Sequence, residues 1–157
     1  IVGAAGYVGG ELMRLLLLHP HVELVFAQSR HLAAQPWHAA HADLALLGEG
    51  AFVAEADLHA IDVLFLALGH GESAAWWQQN SLPLKLKVID MSQDFRLDEK
   101  AGLVYGLPEF QRDRIAHAQF VANPGCFATA LQLALLPLAA NGPLGEVHAT
   151  GITGSTG

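Results

Sequence analysis

A parallel α/β sheet covered by helices is the fold this sequence predicts, and three observations carry it. Strand-like and helix-like segments alternate with short connections along the chain. Two of the strand-like segments, "DVLFLAL" at 62–68 and "LKVIDM" at 86–91, are nearly continuous apolar runs, the pattern of strands buried on both faces. A glycine-rich turn, "GAAGYVGG", lies between the end of one strand and the start of a helix. Such sheets are joined by right-handed crossovers and bind their ligands at the carboxyl ends of the strands.

The elements follow in order. Ile1 and Val2 read as a strand end. Residues 7–18 form a helix that stops at His19-Pro20. "VELVFAQ" at 22–28 is a strand. The Ala- and His-rich stretch 31–60 has no clean period and reads as a loop excursion with one short strand near Phe52 and Val53. The strand at 62–68 leads through Gly71 into a helix that includes Trp76 and Trp77, and the strand at 86–91 follows. Residues 92–118 read mostly as loop with one helical turn, Lys100 and Arg112 among them, and "QFVA" at 119–122 as a short strand. A helix over 126–140 ends at Asn141-Gly142-Pro143, and "EVHATGI" opens a last strand. The expected architecture is a Rossmann-like parallel sheet with flanking helices over 1–124. The start of an α+β catalytic domain follows over 125–157, incomplete because the chain stops at Gly157 inside "GITGSTG".

Composition narrows the function. The chain has 157 residues, enough for a core, and a formal net charge of -7 with eight Lys and Arg, which argues against a nucleic-acid partner. Its longest apolar run, 126–140, contains Gln132 and Pro137 and is too short to span a bilayer. The single cysteine leaves no internal disulfide framework and fits a reducing, cytoplasmic setting. Nine histidines raise the question of a metal, but no second Cys, HExxH or acidic cluster accompanies them, and they read as solvated side chains.

Three motifs follow strands. Gly3, Gly6 and Gly9 form a G-x-x-G-x-x-G in which glycine permits a tight turn and lets backbone N–H groups approach a pyrophosphate at a helix N-terminus. A plain tight turn is the alternative. The next strand ends in Gln28-Ser29-Arg30, with no acid to hold a ribose 2′-hydroxyl. A hydroxyl and a guanidinium suit a 2′-phosphate, so the pattern favours NADP over NAD unless Arg30 is only a solvated loop residue.

In "NPGCFAT", Cys126 follows Pro124-Gly125 and starts a helix. The first N–H groups and the dipole of that helix favour a thiolate. A dipole contribution of at most ~2 kcal/mol is about 1.5 pKa units, so the helix start explains only part of a thiol's activation and a further partner is needed for more. His70 and His148 are candidates in space, and a buried structural cysteine is the alternative. Arg96, in "DMSQDFRL", is the cation best placed for an anionic substrate group, with an ion pair to Asp94 or Asp98 as its other reading.

Together "GAAGYVGGEL", "FLALGHG", "IDMSQDFRL", "VYGLPEF", "NPGCFATALQL" and "GITGSTG" resemble the N-acetyl-gamma-glutamyl-phosphate reductases of arginine biosynthesis, nearly from end to end and least between 31 and 60. The resemblance implies an NADPH-dependent oxidoreductase with a dinucleotide-binding domain and an α+β catalytic and dimerisation domain, a homo-oligomer acting on a small acyl phosphate. It implies Cys126 as nucleophile, in the cysteine position of the family's P-G-C-[YF]-[AP]-T motif. It places Gly3, Gly6, Tyr7, Val8 and Gly9 in the cofactor loop, Ser29 and Arg30 by the adenosine phosphate, and Pro124 and Gly125 by the nicotinamide. Arg96 would hold a substrate carboxylate or phosphate. The implied reaction forms a thioester on Cys126 with loss of phosphate and ends in an aldehyde. The family often has Leu-Pro-His-Gly where this chain has Leu68-Gly69-His70-Gly71. Its catalytic His falls beyond residue 157, so residues 1–157 by themselves are expected to be inactive. Aspartate-semialdehyde dehydrogenases are siblings that usually carry Asn-Cys-Ser/Thr at the nucleophile. Enzymes of N-succinyl or carrier-linked substrates, and a non-catalytic NADP-binding module, are the other readings. "GITGSTG" is expected to be an active-site loop rather than a second cofactor turn.

Overall fold

The computed structural model describes residues 1–98 and 101–154. Lys100 and the last three residues of "GITGSTG" lie outside the described residues. Its centre is a parallel sheet of β1 (Val63–Leu66), β2 (Lys87–Asp90), β3 (Val104–Tyr105) and β4 (Phe120–Ala122), in the order β1-β2-β4-β3. Val2 bridges β1 at Leu66, Gln28 bridges Val2, and Val53 bridges Gln28, all parallel. The sheet therefore runs on past β1 through single residues, in the spatial order of a doubly wound fold.

Both faces of the sheet are covered, as the apolar runs predict. Along β1 the side chains alternate: Leu64 and Leu66 join a core with Val2, Phe26, Leu86 and Val88, whereas Phe65 and Ala67 turn to the opposite core around Ala4, Met13, Trp37 and Leu44. Each fully buried leucine contributes roughly 1.5–3 kcal/mol relative to exposure. α1 (Tyr7–Leu17) packs one face through Met13 and two adjacent glycines, Gly9 and Gly10. α2 (Glu72–Gln79) brings Trp76 and Trp77 to the other.

Three expectations need correction. Residues 22–28 join the sheet only toward their end, where Phe26, Ala27 and Gln28 bond to the backbone of Ile1 and Val53; Val22 and Val25 are exposed. Residues 92–118 hold more than loop: β3 and a helical segment, α3 (Pro108–His117), kinked at Gln111. α3 buries no residue, so it has no apolar period to read. Its signals are Pro at the first turn, Glu109 after it and Arg114 and His117 in the last turn. "EVHATGI" forms no strand; residues 143–154 lack regular structure and are exposed. α4 (Cys126–Ala139) is observed where expected, but no residue of it is buried, and Phe127, Leu131, Leu133 and Leu138 are exposed. Among the described residues, no helix is long and apolar enough to cross a membrane.

Candidate active site

The residues singled out above gather at the carboxyl edge of the sheet, around two clefts. The first, of ≈ 550 Å³, is lined by Gly3, Ala5 and Gly6 on one side, Ser29 and Arg30 at one end, and Gly69 and Trp76 opposite. Gly3 has φ +78, and a β-carbon there would lie 2.4 Å from the carbonyl oxygen of Ala67. Only glycine lets the turn cross the end of β1 so closely. Gly9 stands behind the turn. Its β-carbon would lie 2.5 Å from the Gly3 oxygen, so its absence lets α1 pack directly on the turn. A β-carbon on Gly6 would make only an ordinary contact, 3.5 Å from the Gly3 oxygen, and Gly6 caps α1 without a side-chain bond. Tyr7 and Val8 are exposed in the first turn of α1. A cleft of this size, with the glycine turn, Ser29 and Arg30 in its lining, fits an extended dinucleotide. Ser29 is buried and its N–H donates to Val53, which seats the strand end; Arg30 is exposed.

The second cleft, of ≈ 760 Å³, is lined by Gln93, Asp94, Arg96, Tyr105, Gly125 and Ala128 among others. Cys126 follows Gly125 as the first residue of α4 and is exposed. The turn before it is held at several points. The Asn123 N–H donates to Asp90, and its side-chain amide to the Pro124 carbonyl. Thr129 returns both its N–H and its hydroxyl to the Gly125 carbonyl. Tyr105 donates its hydroxyl to Gln132 on α4, at 3.0 Å.

Arg96 reaches this turn from the loop after β2. Its Nε donates to the Asn123 carbonyl and its Nη2 to the Met91 carbonyl, both at 2.8 Å. Nη1 lies against Gly125, 2.8 Å from the position of a β-carbon there. Asp94, weighed above as a partner for Arg96, turns instead to the start of α2, where it accepts from the N–H groups of Gly71 and Ala74. A carboxylate at that helix end satisfies otherwise unpaired donors and complements the dipole.

The same loops join the two clefts. His70 Nδ1 accepts from the Gln93 N–H at 3.2 Å, which puts the imidazole proton on Nε2 when the ring is neutral. Phe95 meets the Trp77 ring edge-on, with centroids 5.9 Å apart. Beneath them Asp90 is fully buried, its carboxylate accepting from the Ser73 hydroxyl, the Trp77 indole and the Ser92 N–H. The Asp90-to-Ser92 contact is a local turn signal that "IDMSQD" carries. The bonds to Ser73 and Trp77 leave no such trace. His148 lies 3.2 Å from Glu146 on an exposed segment. Gly151, in "GITGSTG", comes back against the Phe127 ring beside Cys126; a β-carbon there would lie 2.6 Å from that ring.

The histidines are not uniformly solvated. His41 is buried, with Nε2 2.9 Å from the Ala4 carbonyl oxygen in the glycine turn. Among the described residues no group of three or more His, Cys, Asp or Glu side chains is arranged to hold a metal ion.

Residues 1–118 match the family described as semialdehyde dehydrogenase, NAD binding domain. An N-acetyl-gamma-glutamyl-phosphate reductase of Azobacteroides pseudotrichonymphae genomovar. CFP2 is 48% identical, over 100% of this chain and 50% of its own length. One from Christiangramia forsetii is 45% identical, over 100% and 49%. The chain thus spans about half the length of the curated relatives it matches. Among solved structures, aspartate semialdehyde dehydrogenase II of Vibrio cholerae aligns with a TM-score of 0.67 at 23% identity, over 88% of this chain and 45% of that one, a likeness of fold.

Proposed function

The chain belongs to the semialdehyde dehydrogenase family through its NAD-binding domain, and on that premise we propose that it is the cofactor-binding and nucleophile-bearing part of an NADPH-dependent N-acetyl-gamma-glutamyl-phosphate reductase. The observation that carries this reading is the position of Cys126. It is exposed at the start of α4, one residue beyond Gly125, which lines the Arg96 cleft, and on the same sheet edge as the glycine turn. The relatives named for this reductase span the nucleophile segment as well as the glycine turn.

In this reading residues 1–124 bind the cofactor, and residues from 125 onward begin the catalytic and dimerisation domain of a homo-oligomer. Gly3, Gly6 and Gly9 shape the turn, with Tyr7 and Val8 opening α1 beside it. Ser29 and Arg30 take the 2′-phosphate, which selects NADP, and Pro124 and Gly125 border the nicotinamide. Arg96 presents Nη1 to a carboxylate or phosphate oxygen, its other nitrogens being anchored on Met91 and Asn123.

Cys126 Sγ attacks the acyl carbon of N-acetyl-glutamyl 5-phosphate, forming a thioester as the C–O bond to phosphate breaks. When the cofactor is bound, its reduced nicotinamide, bordered by Pro124 and Gly125, would supply the hydride that brings the thioester carbon to the aldehyde level. Sγ then leaves as thiolate and N-acetyl-glutamate 5-semialdehyde departs. The test is phosphate-dependent oxidation of the semialdehyde by the full-length protein with NADP, run in the reverse direction and compared with aspartate semialdehyde. Cys126→Ser is expected to lower the rate at least about a thousandfold, some 4 kcal/mol in barrier. A Cys126→Ser protein of full activity, or one preferring aspartate semialdehyde, sinks the assignment.

A further inference from the structure

The stretch that resembles the family least, 31–60, supplies the buried support of the glycine turn. We propose that His41 is a positioning residue of the cofactor cleft, holding the Ala4–Ala5 peptide so that the Ala5 N–H faces a bound dinucleotide phosphate. The proposal rests on the cofactor reading above.

Four observations meet at this residue. His41 is 9% exposed and its Nε2 lies 2.9 Å from the Ala4 carbonyl oxygen. A carbonyl only accepts, so Nε2 carries the proton and donates. The imidazole occupies a seat left for it by α1: a β-carbon on Gly10 would come 2.5 Å from Cε1, 2.7 Å from Nδ1 and 2.9 Å from Nε2. Gly9 and Gly10 therefore have separate uses, the first for contact with the turn and the second for the ring. Ala4 is wholly buried, and its own N–H donates to the Gln28 carbonyl at 3.0 Å, so the residue is held on both sides.

The consequence follows from the trans peptide. The C=O of one residue and the N–H of the next point in opposite directions in one plane, and no peptide bond described here is cis. Drawing the Ala4 oxygen toward His41 sends the Ala5 N–H the other way, and Ala5 lines the cleft with Gly3 and Gly6. His41 is itself fixed. Its N–H donates to Trp37, its carbonyl accepts from Leu44, and two residues on Asp43 is bound by Arg14 of α1 through two nitrogens. The 3-10 turns Trp37–Ala39 and Ala42–Leu46 thus form a buttress behind the cofactor turn.

The test measures NADPH binding by fluorescence titration in the full-length protein without substrate, beside kcat at saturating NADPH. His41→Ala is expected to raise the NADPH Kd about tenfold, the effect of losing one buried hydrogen bond, with kcat held within about twofold because no reacting atom is touched. His41→Gln, whose amide nitrogen reaches the Nε2 position, is expected to restore tight binding. His41→Asn, whose amide is a carbon shorter, is not. A His41→Ala protein that binds NADPH as wild type does overturns the proposal, as do Gln and Asn variants that bind equally well. Where His41→Ala does not fold, the Gln–Asn comparison decides by itself. A wild-type protein that binds neither NADPH nor NADH overturns the cofactor reading, and this proposal with it.

Discussion

Arg96 occupies the space a side chain at Gly125 would need: Nη1 of the guanidinium lies 2.8 Å from where a β-carbon on Gly125 would sit. Residues 29 apart in sequence are thereby brought to one wall of the second cleft. Glycine at 125 leaves the room that the guanidinium takes beside the turn before Cys126.

Gly125→Ala is accordingly expected to displace Arg96 without unfolding the protein, since the nearest atom belongs to a long side chain. Its two anchors on Met91 and Asn123 resist that shift. We expect kcat/KM for the acyl phosphate to fall about tenfold, 1.4 kcal/mol. Unaltered steady-state kinetics in the variant count against a substrate role for this wall.

Arg30 stands at the end of the first cleft beside Ser29. If it takes a 2′-phosphate, Arg30→Glu removes one charge-assisted bond and adds a repulsion. The ratio of NADPH to NADH affinity is then expected to drop at least about tenfold. Titration of both cofactors measures it, and an unchanged ratio refutes the NADP assignment while leaving the nicotinamide reading in place.

Asp90 holds three donors in a site with no solvent access: Ser73, Trp77 and the Ser92 N–H. Asp90→Ala strands all three at once. The predicted loss is about 3 kcal/mol or more, read from the urea midpoint. Ser73→Ala, which frees a single lone pair, is expected to cost less. Equal stability of Asp90→Ala and wild type would show that the loop after β2 is held by something else.

Arg14 donates to Asp43 through Nε and Nη2. This hydrogen bonding lowers the carboxyl from its ordinary value of 3.8 to about 2. The folded state therefore holds the proton less tightly than the unfolded one. The pair stabilises above about pH 4, and its contribution is lost as the pH falls toward 2. Both groups are solvent-accessible, so the effect is small and screened by salt. The difference in urea midpoint between wild type and Arg14→Met should close across that window. A difference that stays constant there excludes the pair as its source.

Much of this protein is legible in its sequence because the relevant demands are local. The apolar runs at 62–68 and 86–91 state that both faces of their strands are covered, and the two cores on either side of β1 agree. Gly3 must be glycine for its own φ, and Cys126 is placed at a helix start by the Pro-Gly before it. α3 carries no apolar period because it buries nothing, and an apolar run such as 22–28 does not say how many of its residues pair.

The parallel sheet, the glycine turn and the cysteine at the head of α4 were thus determined by the sequence alone, each being set by residues within a few positions of one another. What braces the site was decided only in three dimensions. Asp90 reaches Ser73 across 17 positions, Arg96 reaches Asn123 across 27 and His41 reaches Ala4 across 37. A buried polar group must find its partner wherever the fold brings one within hydrogen-bond distance, and no periodicity in the chain records which partner that is.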